Sequence, residues 1–60
     1  MPIIRVEMLK GRTVGQKSNL VKRLTDDFVS ICGGKPEDLH VVISEIDKEN
    51  WGVDGKLISG

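Results

Sequence analysis

The sequence predicts a small α+β domain, α/β-like in its order. It comprises one short β-α-β unit with parallel strands and a C-terminal hairpin, occupies residues 1–60, and is completed by association with further copies of itself. Three observations predict it. An apolar, partly β-branched run opens the chain, an amphipathic helical stretch follows, and a second apolar run comes after a Gly33-Gly34 stop. A strand, a long helix and another strand imply a right-handed crossover between parallel strands.

"PIIRVEML" roughly alternates and is rich in β-branched residues, so it reads as a strand from Pro2 to Leu9. "KGR" breaks it. Thr13 with Gln16 three residues on has the spacing of a capping box and opens a helix. In "KSNLVKRLTDDFVSIC", Leu20, Val21, Leu24, Phe28, Ile31 and Cys32 recur at helical intervals on one face. Lys17, Lys22, Arg23, Asp26 and Asp27 fall largely on the other. Gly33-Gly34 stops the helix, because glycine readily takes the left-handed conformation of a C-terminal cap. At about 1.5 Å per residue the helix is roughly 28 Å long, enough to cross back over a sheet.

"KPEDLHVVISEI" supplies a turn and a second strand from Leu39 to Ile46. That strand is apolar on both faces apart from His40, Ser44 and Glu45, the pattern of a strand buried in a parallel sheet. Asp54-Gly55 in the tail favours a tight type I′ hairpin.

Sixty residues make one domain, and a lone chain of this size buries only about 60 % of its unfolded surface. Small folds usually add disulfides, a metal or oligomerisation. Cys32 is the only cysteine, so no disulfide forms within the chain. One cysteine and one histidine, His40, cannot assemble the usual set of N and S ligands, so no metal is expected. Oligomerisation remains. Two strands and one helix also leave a sheet edge and a sheet face uncovered, and identical chains can cover both. Nine acidic residues balance nine basic ones, which argues against nucleic-acid or membrane-surface partners drawn by bulk charge. The apolar runs are far short of a membrane span. The single cysteine and the lack of a charged-then-apolar leader lead to the expectation of a cytoplasmic protein.

The usual motifs are missing: there is no glycine-rich phosphate loop after a strand, no metal-ligand spacing and no serine nucleophile elbow. Pro2 read alone is punctuation, fixing φ and giving up an N–H. Freed of Met1, it becomes a terminal secondary amine that can be protonated. His40, an isolated histidine, reads as a packed or rim residue before it reads as a general base. Cys32 reads as a small buried hydrophobe. Trp51 is a core plug, an oligomer contact or the wall of an apolar site. Arg12 lies near the helix N-terminus, where an anion is also favoured. Lys10 and Lys35 read as solvated charge.

"PIIRVEMLKGRTVGQKSNLVKRLTD" followed by "VVISEIDKENWGVDGK" resembles the 4-oxalocrotonate tautomerase (2-hydroxymuconate tautomerase) family over essentially the whole chain. Four coupled features carry the resemblance. They are the proline after Met1, the "KGR" at the end of the first strand, the "GQK" opening the helix, and the aromatic-Gly pair near the C-terminus. The resemblance implies the tautomerase fold and small subunits assembled into a homohexamer. It implies a keto–enol isomerase acting on 2-hydroxymuconate or a related enol of a 2-oxo acid, in aromatic hydrocarbon catabolism and without a cofactor. By position, Pro2 would be the general base and Arg12 the residue engaging the substrate's carboxylate and carbonyl end. Trp51 would line the site as an aromatic, and Leu9 and Val53 would be apolar walls. His40 departs from the pattern, standing where the best-known members carry a second arginine offered to a neighbouring subunit. Weaker discrimination in favour of dicarboxylates is therefore expected. Two other readings stand beside this one: a different proline-dependent reaction, such as dehalogenation or hydration, and a non-catalytic β-α-β assembly module.

Overall fold

The structure, a computed structural model, describes residues 1–59. Strand β1 spans Ile3–Leu9, helix α1 Val14–Cys32 and strand β2 His40–Ile46. Two short strands, β3 (Gly52–Val53) and β4 (Lys56–Leu57), end the chain, and 3-10 turns occupy Pro36–Asp38 and Lys48–Asn50. β1 and β2 pair in parallel, from Ile3 opposite His40 to Leu9 opposite Ile46. β3 and β4 pair antiparallel. The β-α-β order and the C-terminal hairpin are those the sequence predicts. Each long strand starts one residue later than the sequence pattern suggests, although the Pro2 carbonyl still accepts the His40 N–H at 3.1 Å.

Local chemistry explains the elements. Thr13 accepts a hydrogen bond from the Gln16 N–H at 3.1 Å, and the Gln16 side chain accepts from the Thr13 N–H at 2.9 Å. The capping box is therefore closed at both ends and satisfies two donors that the first turn would otherwise leave free. At the far end Gly33 and Gly34 take φ of 82° and 92°, and the Gly33 N–H closes the helix on the Val29 carbonyl at 2.9 Å. Asp54 and Gly55 have φ of 54° and 76°, the paired positive values of a type I′ turn.

The core lies between α1 and one face of the β1–β2 sheet. Ile4 and Val6 of β1, with Val41 and Ile43 of β2, are half-buried beneath Leu20, Val21, Leu24 and Phe28. Lys17 sits on this sheet-facing side, not on the solvent face its charge suggests, because its ammonium reaches Glu45 at 2.7 Å. Ile31 and Cys32 also depart from expectation: Ile31 is 81 % exposed and Cys32 is an exposed free thiol. Geometry gives the reason. Nineteen helical residues run about 28 Å, whereas seven strand residues run about 23 Å, so the last helical turn overhangs the sheet.

The opposite sheet face has no cover within the chain. Ile3 and Val42 on it are 60 % and 41 % exposed, so β2 is buried on one face and not on both. Leu39, 8 % exposed, is the only buried apolar side chain among the described residues, and none of them is fully buried. The radius of gyration is 14.4 Å, against about 10 Å for a compact domain of this length. The chain exposes 4748 Å², against about 3,900 Å² for a compact protein of this mass.

Candidate active site

The parallel register places the residues singled out by the sequence at two separate ends of the sheet. At the N-terminal end of β1 stands Pro2, joined through its carbonyl to the His40 N–H. At the C-terminal end stand Leu9 and Arg12. Gly11, at φ 134°, turns the chain there in a conformation that suits glycine, and Arg12 folds back so that its Nη1 donates to the Leu9 carbonyl at 3.1 Å. Lys10 ties this end to β2, its N–H donating to the Ile46 carbonyl at 3.1 Å and its ammonium lying 3.0 Å from Asp47. The hydrogen bond to Asp47 and that carboxylate's charge raise the Lys10 pKa above its ordinary value.

Trp51 and Val53 follow the C-terminal end of β2. Trp51 is half-buried, and its carbonyl accepts the Ile58 N–H at 3.0 Å, which folds the terminal hairpin back toward it. Val53 is 57 % exposed. One chain thus brings Pro2 beside His40, and groups Leu9 and Arg12 at the opposite end of the sheet. Seven steps of strand separate Pro2 from Leu9, about 23 Å. Arg12 therefore cannot act on a small molecule held at Pro2 of its own chain.

A cavity of about 330 Å³ opens at the Pro2 end. It lies under the overhanging last turn of α1, walled by Phe28, Val29, Gly33 and Leu39, with Met1, Gly34, Lys35 and Asp38 around it. Sequence reading did not foresee this cavity, at whose edge Lys35 is exposed as its reading as solvated charge expects. A tertiary mismatch between helix and strand length creates it, and no local motif records that mismatch. Among the described residues no group of histidine, cysteine and carboxylate side chains is gathered to hold a metal ion, and no helix is long and apolar enough to cross a membrane. What the arrangement offers chemically is the amine-bearing end of the chain, which becomes Pro2 once Met1 is removed, beside a cavity of mixed apolar and polar lining that includes Lys35 and Asp38.

Comparison with known proteins matches residues 2–60 to the family described as "Tautomerase enzyme". A protein of Halalkalibacterium halodurans named a probable tautomerase is 44 % identical over 59 residues, covering 98 % of this chain and 97 % of the relative. The 2-hydroxymuconate tautomerase of Bacillus subtilis is 41 % identical over 59 residues, covering 98 % of this chain and 95 % of the relative. Among solved structures, the 4-oxalocrotonate tautomerase homologue YwhB superposes with a TM-score of 0.92 at 40 % identity, covering 97 % of this chain and 95 % of that one. A chain of a heterohexameric 4-oxalocrotonate tautomerase from Chloroflexus aurantiacus superposes with a TM-score of 0.91 at 25 % identity, covering 98 % and 95 %.

Proposed function

The chain belongs to the tautomerase family, and from that premise we propose that it is a keto–enol isomerase of 2-hydroxymuconate or a related enol of a 2-oxo acid, with Pro2 as general base. The observation that carries the reading is Pro2 at a partly apolar cavity in a chain matched to this family from residue 2 onward. Removal of Met1 frees the amine. Its nitrogen lone pair takes the proton of the 2-hydroxyl, the electrons form the 2-oxo group, and the ammonium returns a proton to a carbon of the conjugated chain. An amine catalyses best with a pKa near the working pH. An ordinary α-amino group titrates at about 7.7–8.0 and a secondary amine higher, so the site must disfavour the cation. Apolar walls and a nearby guanidinium both do so.

Arg12 supplies that guanidinium and opposes the negative charge growing on the enol oxygen, as an oxyanion stabiliser does. Since it lies a strand's length from its own Pro2, it must come from another copy. An antiparallel pairing of two β1 edges about a two-fold axis sets the Pro2 end of one chain beside the Leu9 and Arg12 end of the other. The open sheet face, the near-absence of buried side chains and the extended shape support a homo-oligomer, and the heterohexameric relative supports six subunits. Trp51, Val53 and Leu9 would then line the shared site, and His40 would border it. The single cysteine supports a cytoplasmic place, and the resemblance to 2-hydroxymuconate tautomerases supports a role in the breakdown of aromatic compounds.

The test is ketonisation of 2-hydroxymuconate, followed by ultraviolet absorbance, on protein whose N-terminus has been checked by mass. Protein beginning at Pro2 turns the substrate over. A form that keeps Met1, or is acetylated at Pro2, loses at least about 10²-fold in kcat/KM, the low end for a lost general base. Equal activity in the blocked and free forms would refute the role given to Pro2.

A further inference from the structure

We infer that Arg5 and Glu7 set the register in which two chains join along β1: Arg5 of each chain pairs with Glu7 of the other, on either side of a two-fold axis at Val6. They are positioning residues, which bring Arg12 of one chain to Pro2 of its partner. This rests on the shared site proposed above and adds what aligns its two halves.

β1 and β2 form a two-stranded sheet, so each strand has one unpaired edge. Along β1, Ile3, Arg5 and Glu7 are exposed while Ile4, Val6 and Met8 are half-buried, so the two charges share the open face. Across the sheet Arg5 stands opposite Val42 and Glu7 opposite Ser44, so neither meets an opposite charge there. Neither belongs to the ion pairs among the described residues, which join Lys10 to Asp47, Lys17 to Glu45 and Lys22 to Asp26. On the open face of β2, His40, Val42 and Ser44 carry no such pair of opposite charges.

Two copies of β1 related by a two-fold axis can pair antiparallel. With the axis perpendicular to the sheet, both helices lie on one side and directly opposite residues share a face. An axis lying in the sheet would instead carry Arg5 to the side that the partner's helix covers. The perpendicular axis passes through a residue, and the charges choose which. At Arg5 it sets Arg5 against itself, and at Glu7 it sets Glu7 against itself, so both registers bring like charges together. At Val6 it sets Arg5 against Glu7 twice, Ile3 against Leu9 and Ile4 against Met8, apolar with apolar. Pro2 then faces Lys10 of the partner, two residues before Arg12. Moving the axis to Arg5 slides the strands by two residues and withdraws Arg12 from Pro2 by about 7 Å. Moving it to Glu7 runs Pro2 past the Gly11 turn, where the partner's chain leaves the sheet. The charges and the apolar pairs select the same register.

The experiment uses protein beginning at Pro2. Sedimentation reads assembly, circular dichroism reads helix content, and ultraviolet absorbance follows ketonisation of 2-hydroxymuconate. Arg5→Glu and Glu7→Arg each set like charges against one another in their own oligomers. Each alone should assemble more weakly and lose about tenfold or more in activity at low salt. Added salt should return part of both, which a merely structural role would not explain. Refolded together, the two variants should recover the assembly and activity of the parent, because each carries the charges that the other lacks. The double variant, Arg5→Glu with Glu7→Arg, should behave as the parent. Single variants that assemble and turn over like the parent, or a mixture no better than its components, would overturn the inference and leave the role of Pro2 standing. Should a single variant not fold, the double variant decides, since it sets no like charges together; weak assembly of it would overturn the inference too. Assembly that follows the charges in protein that ketonises nothing would uphold the register and refute the tautomerase reading.

Discussion

At the scale of single residues, His40 is where the chain departs most from what its family resemblance implies. An arginine there would carry a permanent charge and a two-pronged grip on a carboxylate, whereas neutral imidazole offers one donor and one acceptor. A hydrogen bond to a charged group contributes roughly 1.5–3 kcal/mol, so the missing arginine corresponds to about ten- to a hundredfold in kcat/KM on a dicarboxylate. His40→Arg should recover part of that for 2-hydroxymuconate and little for an aryl enolpyruvate, as measured by steady-state kinetics on both. Equal gains on the two, or none, would mean that residue 40 does not meet the substrate. Pro2, Arg12 and His40 became candidates through the family resemblance, since read alone Pro2 is punctuation and His40 a packed or rim residue. The cavity beside Pro2 was not legible, because it depends on how Phe28, Val29 and Leu39 pack there in three dimensions.

At the scale of elements, sequence reading did best where a local rule sufficed. The Thr13–Gln16 spacing marked the helix start, Gly33-Gly34 its stop and Asp54-Gly55 the hairpin, and all three have the backbone geometry those residues favour. It did worst where the answer depended on two elements at once. Ile31 and Cys32 follow the apolar stripe of α1, yet they lie past the end of the shorter strands and so meet solvent. Lys17 follows no apolar rule, yet Glu45 across the helix–sheet seam draws it inward, its side chain only 25 % exposed. The cap gives a direct test of the local rule. Thr13→Ala removes the acceptor for the Gln16 N–H and should cost about 1 kcal/mol of stability. Urea unfolding at one fixed chain concentration measures it, since association contributes to the apparent stability. No loss would mean that the helix start is held by contacts between chains and not by its cap.

At the scale of the whole molecule, the protomer is half of an argument. Its strands leave a sheet face open, its surface exceeds that of a compact protein of its mass, and about 23 Å of strand separates Pro2 from Leu9. If the active site joins the Pro2 end of one chain to the Arg12 end of another, two inactive variants should repair each other. The first keeps Met1 and so lacks the free amine; the second is Arg12→Ala and lacks the guanidinium. Each homo-oligomer should be nearly inactive on 2-hydroxymuconate. Unfolded together in equal amounts and refolded, they form mixed oligomers in which every site draws its amine and its guanidinium from different chains. The chance that both donors are intact is one half times one half, so about a quarter of parent activity should return. Mixing without unfolding should return less, because exchange waits on dissociation. A site built within one chain predicts no recovery at any ratio, since neither variant carries both groups. Recovery that follows the product of the two fractions as the mixing ratio varies, with its maximum at equal amounts, would establish that the shared site requires the oligomer.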